Sequence, residues 1–174
     1  MASPTQPRPP EQENNNMAYQ THSLTLDGGM SLKAAGLVAA DESGATMIGG
    51  VAYVDLTGAA NTYAKFAVVI DWTAIDLDAG NEVYDVQVYG CAATNFTTDF
   101  ILTSRKFGDS SVTFQGVDTP PSGRAVLFAD NVAHTSATDG NGVEALRYVR
   151  ISVDVAGAGV GAGFNFSATI VPMP

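Results

Sequence analysis

Five carboxylates crowd the stretch DWTAIDLDAGNEVYDVQVYG: Asp71, Asp76, Asp78, Glu82 and Asp85. An oxygen-rich turn of this kind can hold calcium, which takes roughly six to eight oxygen ligands. Asp76, Asp78 and Glu82 alternate in DLDAGNE, with Gly80 and Asn81 between them, and are the calcium candidates. Counted as an EF-hand loop from Asp76, however, the fifth position is Gly80 and the twelfth is Gln87, where an oxygen ligand and a glutamate are required. The competing reading, which the sequence favours, is a solvated connection between two strands. Paired acids also run glycoside hydrolysis, but they must then face each other across a cleft. These lie along one loop, and Trp72, the single tryptophan, falls at a core-facing position and not on a sugar platform.

The nitrogen and sulfur donors are too few for a closed metal site: His22, His134 and Cys91. Neither histidine sits near a nucleophile-elbow motif, so both read as surface residues. One cysteine can form no intrachain disulfide, and at the end of an apolar run it reads as a buried thiol. In GAGVGAGFNF, Gly157, Gly159 and Ala162 fit part of the dinucleotide fingerprint. That motif must end a strand and open a helix so that backbone N–H groups meet pyrophosphate. A strand-like run follows here instead, so the segment reads as a hairpin loop, one where the missing side chains let another backbone approach. Asn95 and Asn165 begin glycosylation sequons that carry weight only in a secreted chain. Arg147 and Arg150 flank Tyr148 and Val149 in a chain poor in cations. In a strand they point to opposite faces; one serves as partner to local carboxylates, and the outward one, Arg150, suits an interface. No catalytic residue, cofactor or metal is assigned, and no enzymatic activity is expected.

The elements that must carry these residues are strands. TYAKFAVVIDW sets Ala64, Phe66, Val68, Ile70 and Trp72 on one face, against Tyr63, Lys65, Ala67, Val69 and Asp71. EVYDVQVYG sets Tyr84, Val86 and Val88 against Asp85 and Gln87. EALRYVRISVDVA sets Ala145, Val149, Ile151, Val153 and Val155 against Tyr148, Arg150, Ser152 and Asp154, with Arg147 breaking the apolar row. GFNFSATIV sets Phe164, Phe166, Ala168 and Ile170 against Asn165, Ser167 and Thr169. Period two with β-branched and aromatic enrichment means half-buried strands. THSLTL, GGVAYVDL, DFILTSRKF, SVTFQG and GRAVLFAD are weaker strand candidates, and MSLKAAGLVAADE is the one segment that reads as a helix. Turn clusters such as DESGA, DTPPSGR and ATDGNGV separate them. The expectation is an all-β fold, an antiparallel two-sheet jelly-roll sandwich of about eight strands.

Composition shifts near Met17. Residues 1–16, MASPTQPRPPEQENNN, hold half the chain's 8 prolines and almost no apolar side chains. Such a segment buries too little area to offset its ordering entropy and reads as an extended arm. It is either a native arm or an extension upstream of a start at Met17. Residues 17–174 form the sandwich domain. With 8 Lys+Arg against 18 Asp+Glu, the net charge of −10 repels phosphate backbones and anionic lipid, so neither nucleic acid nor membrane is an expected partner. No apolar run approaches the roughly 20 residues of a membrane helix. No basic segment leads into an apolar one at the N-terminus, so synthesis in a cytoplasm is expected.

Taken in order, FAVVIDWTAIDLDAGNEVYDVQVYG, FG, GRAVLFADN and LRYVRISVDVAGAGVGAGFNFSATIV resemble the jelly-roll capsid cement, or decoration, proteins of tailed bacteriophages. The resemblance covers about Tyr63 to Val171 and is one of strands and turns. It implies a virion protein on the outer surface of the capsid, often trimeric, that binds the major capsid protein and bridges capsomers of an assembled head. The candidate contact residues are then Arg150 and, in the arm, Pro4, Pro7, Arg8, Pro9 and Pro10, with the arm laid on a neighbour as a strand or a polyproline-like strap. The alternative is a tail- or fibre-associated β-sandwich that binds carbohydrate through exposed aromatics, with Tyr53, Tyr84, Tyr89 and Tyr148 as candidates.

Overall fold

The computed structural model describes residues 30–56, 65–78, 80–109, 111, 113, 116–134, 143–157 and 163–173; within 132–134 and 143–145 it describes the backbone only. His22 and the arm residues Pro4, Pro7, Arg8, Pro9 and Pro10 lie outside these, as do THSLTL, Tyr63, Ala64, Gly159 and Ala162.

Among the described residues eleven strands form, in the order β1 Ser31–Val38, β2 Glu42–Ser43, β3 Val54–Asp55, β4 Lys65–Ile75, β5 Val83–Cys91, β6 Asp99–Gly108, β7 Gly123–Asp130, β8 Val132–His134, β9 Val143–Ala145, β10 Tyr148–Ala156 and β11 Phe164–Pro172. They pair antiparallel in a nested pattern: β1 with β11, β2 and β3 with β10, β4 with β7, and β5 with β6. Alternate pairs go to opposite layers. The first sheet runs β1-β11-β4-β7 and the second β2-β10-β5-β6, with β3 beside β10. Nested pairs alternating between two layers are the wrapping of a jelly roll, and β8–β9 is a small added hairpin.

Period-two alternation explains the core. Phe66, Val68, Ile70 and Trp72 of β4 meet Tyr84, Val86 and Val88 of β5, Val149, Ile151 and Val153 of β10, and Phe164, Phe166, Ala168 and Ile170 of β11, all buried. Phe164 is the hub of the rings. Its centroid lies 4.7 Å from Phe166, 5.0 Å from Phe107 and 5.3 Å from Tyr84, and Trp72 stands edge-on to Phe107 at 5.3 Å. Each such pair adds about 0.5–1.5 kcal/mol beyond its buried area.

Three expectations are corrected. MSLKAAGLVAADE is not a helix but β1 and the start of β2. Two register irregularities interrupt its pairing with β11, which is why Leu32 and Lys33, adjacent in sequence, are both buried and why alternation does not mark the strand. Gly36 belongs there because a Cβ would stand 2.8 Å from the Ile48 carbonyl oxygen. Within SVTFQG the described residues turn: Gly116 N–H donates to Thr113 O and Thr113 N–H to Asp109 O. Finally, GGVAYVDL contributes only the two-residue β3. Among the described residues no helix is long and apolar enough to cross a membrane.

Candidate functional site

The outer face of the second sheet carries a continuous strip of aromatic and charged side chains. Register builds it. Tyr148, Arg150, Ser152 and Asp154 of β10 stand opposite Cys91, Tyr89, Gln87 and Asp85 of β5, while their neighbours Val149, Ile151 and Val153 face the core. Two arginine–carboxylate pairs stiffen one end. Arg147 grips Asp55 of β3 through Nε and Nη2, both at 2.8 Å, and its guanidinium lies 5.1 Å from the Tyr148 ring centre. The hydrogen bonds to Asp55 push the Arg147 guanidinium above its ordinary value. Arg150 Nη2 donates to Asp99 of β6 at 2.7 Å, and its plane lies over Phe96 at 4.4 Å and Tyr89 at 5.7 Å. Phe96 takes a left-handed backbone, φ 48, a strain of about 1–2 kcal/mol for a bulky residue, and that turn sets its ring beneath Arg150. Tyr53 completes the cluster, edge-on to Tyr148 at 5.1 Å and tilted to Phe96 at 6.4 Å.

At the other end of the strip the Gln87 amide donates to both Asp85 (3.3 Å) and Asp154 (3.1 Å), carboxylates that face each other across the strands. Tyr89 donates its hydroxyl to Gln87 Oε1. Burial, then the charges of Asp154 and Asp99, raise the Tyr89 phenol above its usual value. The strip is therefore rigid and dual in character: aromatic and guanidinium at one end, amide and carboxylate at the other.

Both arginines thus serve local carboxylates. Arg147 does not interrupt a core row, because β10 begins only at Tyr148: Arg147 N–H donates to Cys91 O, its carbonyl accepts from Leu56 N–H, and its side chain turns out onto Asp55. Of the four tyrosines expected on an exposed face, Tyr53, Tyr89 and Tyr148 share this one. Tyr84 is fully buried in the core, where burial pushes its phenol up to about 12.

The acidic connection between β4 and β5 is less wet than its composition suggests. Asp78 is exposed, but Asp76 is buried and Glu82 wholly so. Asp76 Oδ1 accepts from Asp78 N–H, Glu82 Oε2 accepts from Asn81 N–H, and Tyr84 donates to the Asp76 carbonyl. Two glycines press on the Glu82 backbone: a Cβ would lie 2.1 Å from its carbonyl oxygen at Gly108 and 2.9 Å from its Cα at Gly157. Gly157 thus admits a close backbone, as its sequence suggests, but β10 and β11 are not a hairpin: they lie in different sheets. The acids close a turn, and among the described residues no three His, Cys, Asp or Glu side chains converge on one point. Cys91 is buried and free, its thiol donating to Thr98 O. His134 ends β8, with only its backbone described. In the Asn95 sequon the amide oxygen caps Thr97, and Asn165 lies half-buried on β11.

Two features had no counterpart in the sequence reading. A cleft of about 530 Å³ lies beside β6, lined by Trp72, Arg105, Lys106 and Thr119 among others. The β6–β7 connection walls it, tied down where Trp72 Nε1 donates to Pro120 O (2.8 Å) and Gly108 exchanges two bonds with Thr119. The second is Lys33, whose ammonium is buried against the Phe166 ring and donates to the carbonyls of Ala34, Gly36 and Phe166 at 2.7–3.1 Å.

Fold and strip together define a jelly-roll β-sandwich with a stiffened aromatic–arginine strip on the outer face of its second sheet. No family model, curated protein or solved structure matches the chain.

Proposed function

We propose that this protein is a viral structural protein, a capsid cement or decoration protein of a tailed bacteriophage that sits on the outside of an assembled head and bridges capsomers. Its partners in this reading are the major capsid protein and further copies of its own chain. The observation that carries it is the strip of Tyr53, Tyr148, Phe96, Arg147 and Arg150. Tyrosine and arginine dominate the energetics of protein interfaces, and these are held in place by ion pairs and ring contacts before any partner arrives, so little entropy is lost on docking. Stabilisation of the head follows by mass action: a module that binds only the expanded shell favours it, and many weak copies act together. An acidic exterior suits a part that must not compete for packaged DNA.

The test is binding to heads purified from the phage that encodes the chain and stripped of this protein. Tyr53→Ala removes a partly exposed ring without touching the core and is expected to lower affinity about tenfold, the effect of roughly 1.4 kcal/mol at an interface. Arg150→Lys keeps the charge but loses the planar stack on Phe96, and is expected to act likewise. Removing residues 1–16 is expected to lower occupancy and leave the unfolding midpoint alone. Wild-type protein that fails to bind such heads refutes the reading. A second reading rests on the same face: Tyr53, Tyr89 and Tyr148 beside Gln87, Asp85 and Asp154 offer rings and hydrogen-bonding groups to an oligosaccharide, and a glycan array with Tyr53→Ala as the control decides it.

A further inference from the structure

The opposite face of the sandwich is built from different material. On the first sheet Val126 and Phe128 of β7 point outward, beside Val69 and Ala67 of β4, which in turn neighbour Thr169 and Val171 of β11. Phe128 is 66% exposed, and Val126 and Met173 are 40% exposed. An exposed phenylalanine on the edge strand, at the end of the apolar row of Val171, Ala67 and Phe128, marks a contact surface rather than chance. Beside Phe128, at the β7 edge where Leu102 of β6 and the core-packed Ala129 reach the surface, lies an open hollow of about 360 Å³, also lined by Lys65, Asp130 and Met173.

From this juxtaposition of an apolar knob with an apolar hollow whose rim carries one charge of each sign, we propose that the face seats a second copy of this chain, turned by half a turn. Three observations select that occupant. Knob and hollow lie on one patch, so a two-fold rotation sends Phe128 of each copy into the hollow of the other, as a self-complementary contact requires. Lys65 and Asp130 are cross-strand partners on β4 and β7, so the same rotation can set the Lys65 of one copy against the Asp130 of the other. The outward charges of this sheet also cancel: Lys65 and Arg124 against Asp71 and Asp130, with Arg124 and Asp71 already joined at 2.6 Å. In a chain of net charge −10, a face of zero net charge is where two copies meet with least repulsion.

The size of the face sets the strength. Four strands about 4.8 Å apart and about nine residues long at about 3.4 Å each cover roughly 600 Å². A stable interface takes about 800 Å² from each partner. The pairing is therefore weak and reversible in solution. It is also two-fold, unlike the three-fold contact that the family resemblance implies. The inference does not depend on the phage reading, since it is tested on the protein alone.

Sedimentation equilibrium of the full chain, from about 10 μM to about 1 mM, is expected to show a reversible monomer–dimer equilibrium. Phe128→Ser is expected to be monomeric throughout, with an unchanged urea midpoint because the ring is mostly in solvent. Lys65→Glu sets two acids against each other and is expected to weaken pairing at least tenfold, and the exchange Lys65→Glu with Asp130→Lys is expected to restore it. A wild-type chain that stays monomeric over this range overturns the proposal, as does pairing that survives Phe128→Ser. So does a monomeric wild type whose Phe128→Ser variant loses binding to heads, which would assign the face to the shell.

Discussion

Lys33 offers a direct test of how the first sheet is held together. Its ammonium is wholly buried, and burial lowers its pKa from 10.5 to about 8, against the smaller opposing pull of Glu42. Below about pH 8 the folded state carries the cost of a buried charge. Between about 8 and 10.5 the unfolded chain holds the proton more often than the folded one, so stability rises with pH through that window. At about 1.4 kcal/mol per unit, the gain is about 3 kcal/mol, a large share of the roughly 5–15 kcal/mol of an ordinary domain. Above about pH 10 the sign reverses. Tyr84, pushed up to about 12, and Tyr89, also raised, keep their protons in the folded state after the unfolded chain has lost them, so stability falls. Urea titrations followed by the fluorescence of Trp72 are expected to give a maximum near pH 10. Lys33→Met, of similar length, removes the charge but leaves three carbonyls without their donor, so its effect at neutral pH is a near-balance of two costs. The slope discriminates: the variant is expected to lose the rise between pH 8 and 10. A variant that keeps the rise, or a wild type without one, refutes the assignment of a buried, proton-releasing Lys33.

Two further outcomes follow from the connection geometry. Gly108→Ala drives a Cβ to 2.1 Å from the Glu82 carbonyl oxygen at φ 147 and is expected to cost more than about 3 kcal/mol in urea unfolding. Gly116→Ala, at φ 62 with nothing within 4 Å, is expected to cost about 1 kcal/mol; equal losses would mean that backbone conformation alone, without the clash, sets both. Because Asp76 and Glu82 cap backbone N–H groups of their own turn, the melting temperature is expected to be the same in calcium and in EDTA, and a rise of several degrees with calcium would revive the ligand reading.

How far the sequence carries the fold depends on how regularly each strand is paired. β4, β5, β10 and β11 are central in their sheets, and alternation named their core residues from Phe66 to Ile170. β1 is an edge strand with two irregularities, and the good helix formers of SLKAA mask it. Burial of Asp76 and Glu82 was illegible for another reason: polarity predicts exposure, but a carboxylate that closes its own turn satisfies itself with backbone N–H groups and goes inside. Phe96 joined the candidate site unannounced, because a loop brings it there and no period marks loop residues. Phe128 was missed: GRAVLFAD reads only as a weaker strand candidate, and the alternation of Arg124, Val126 and Phe128 against Ala125 and Leu127 that puts two bulky apolar groups outside is plain only once the strand's faces are known.

The two outer faces differ in the physics they offer a partner. On the second sheet, arginines locked to Asp55 and Asp99 and rings locked to each other give a surface organised before docking. Such a face gains specificity from geometry and loses little entropy on binding. On the first sheet the outer face is apolar and of zero net charge, with Lys65 and Asp130 side by side on β4 and β7, so a partner docking there would gain from buried area and be steered by one charge of each sign. A protein that used one kind of face for both purposes would confuse copies with other partners. In the reading proposed above, separating them by sheet would let the chain meet its own kind through one side and a different surface through the other, and the core between, fixed by Trp72, Phe107, Phe164 and Phe166, holds the two faces about 10 Å of sandwich apart.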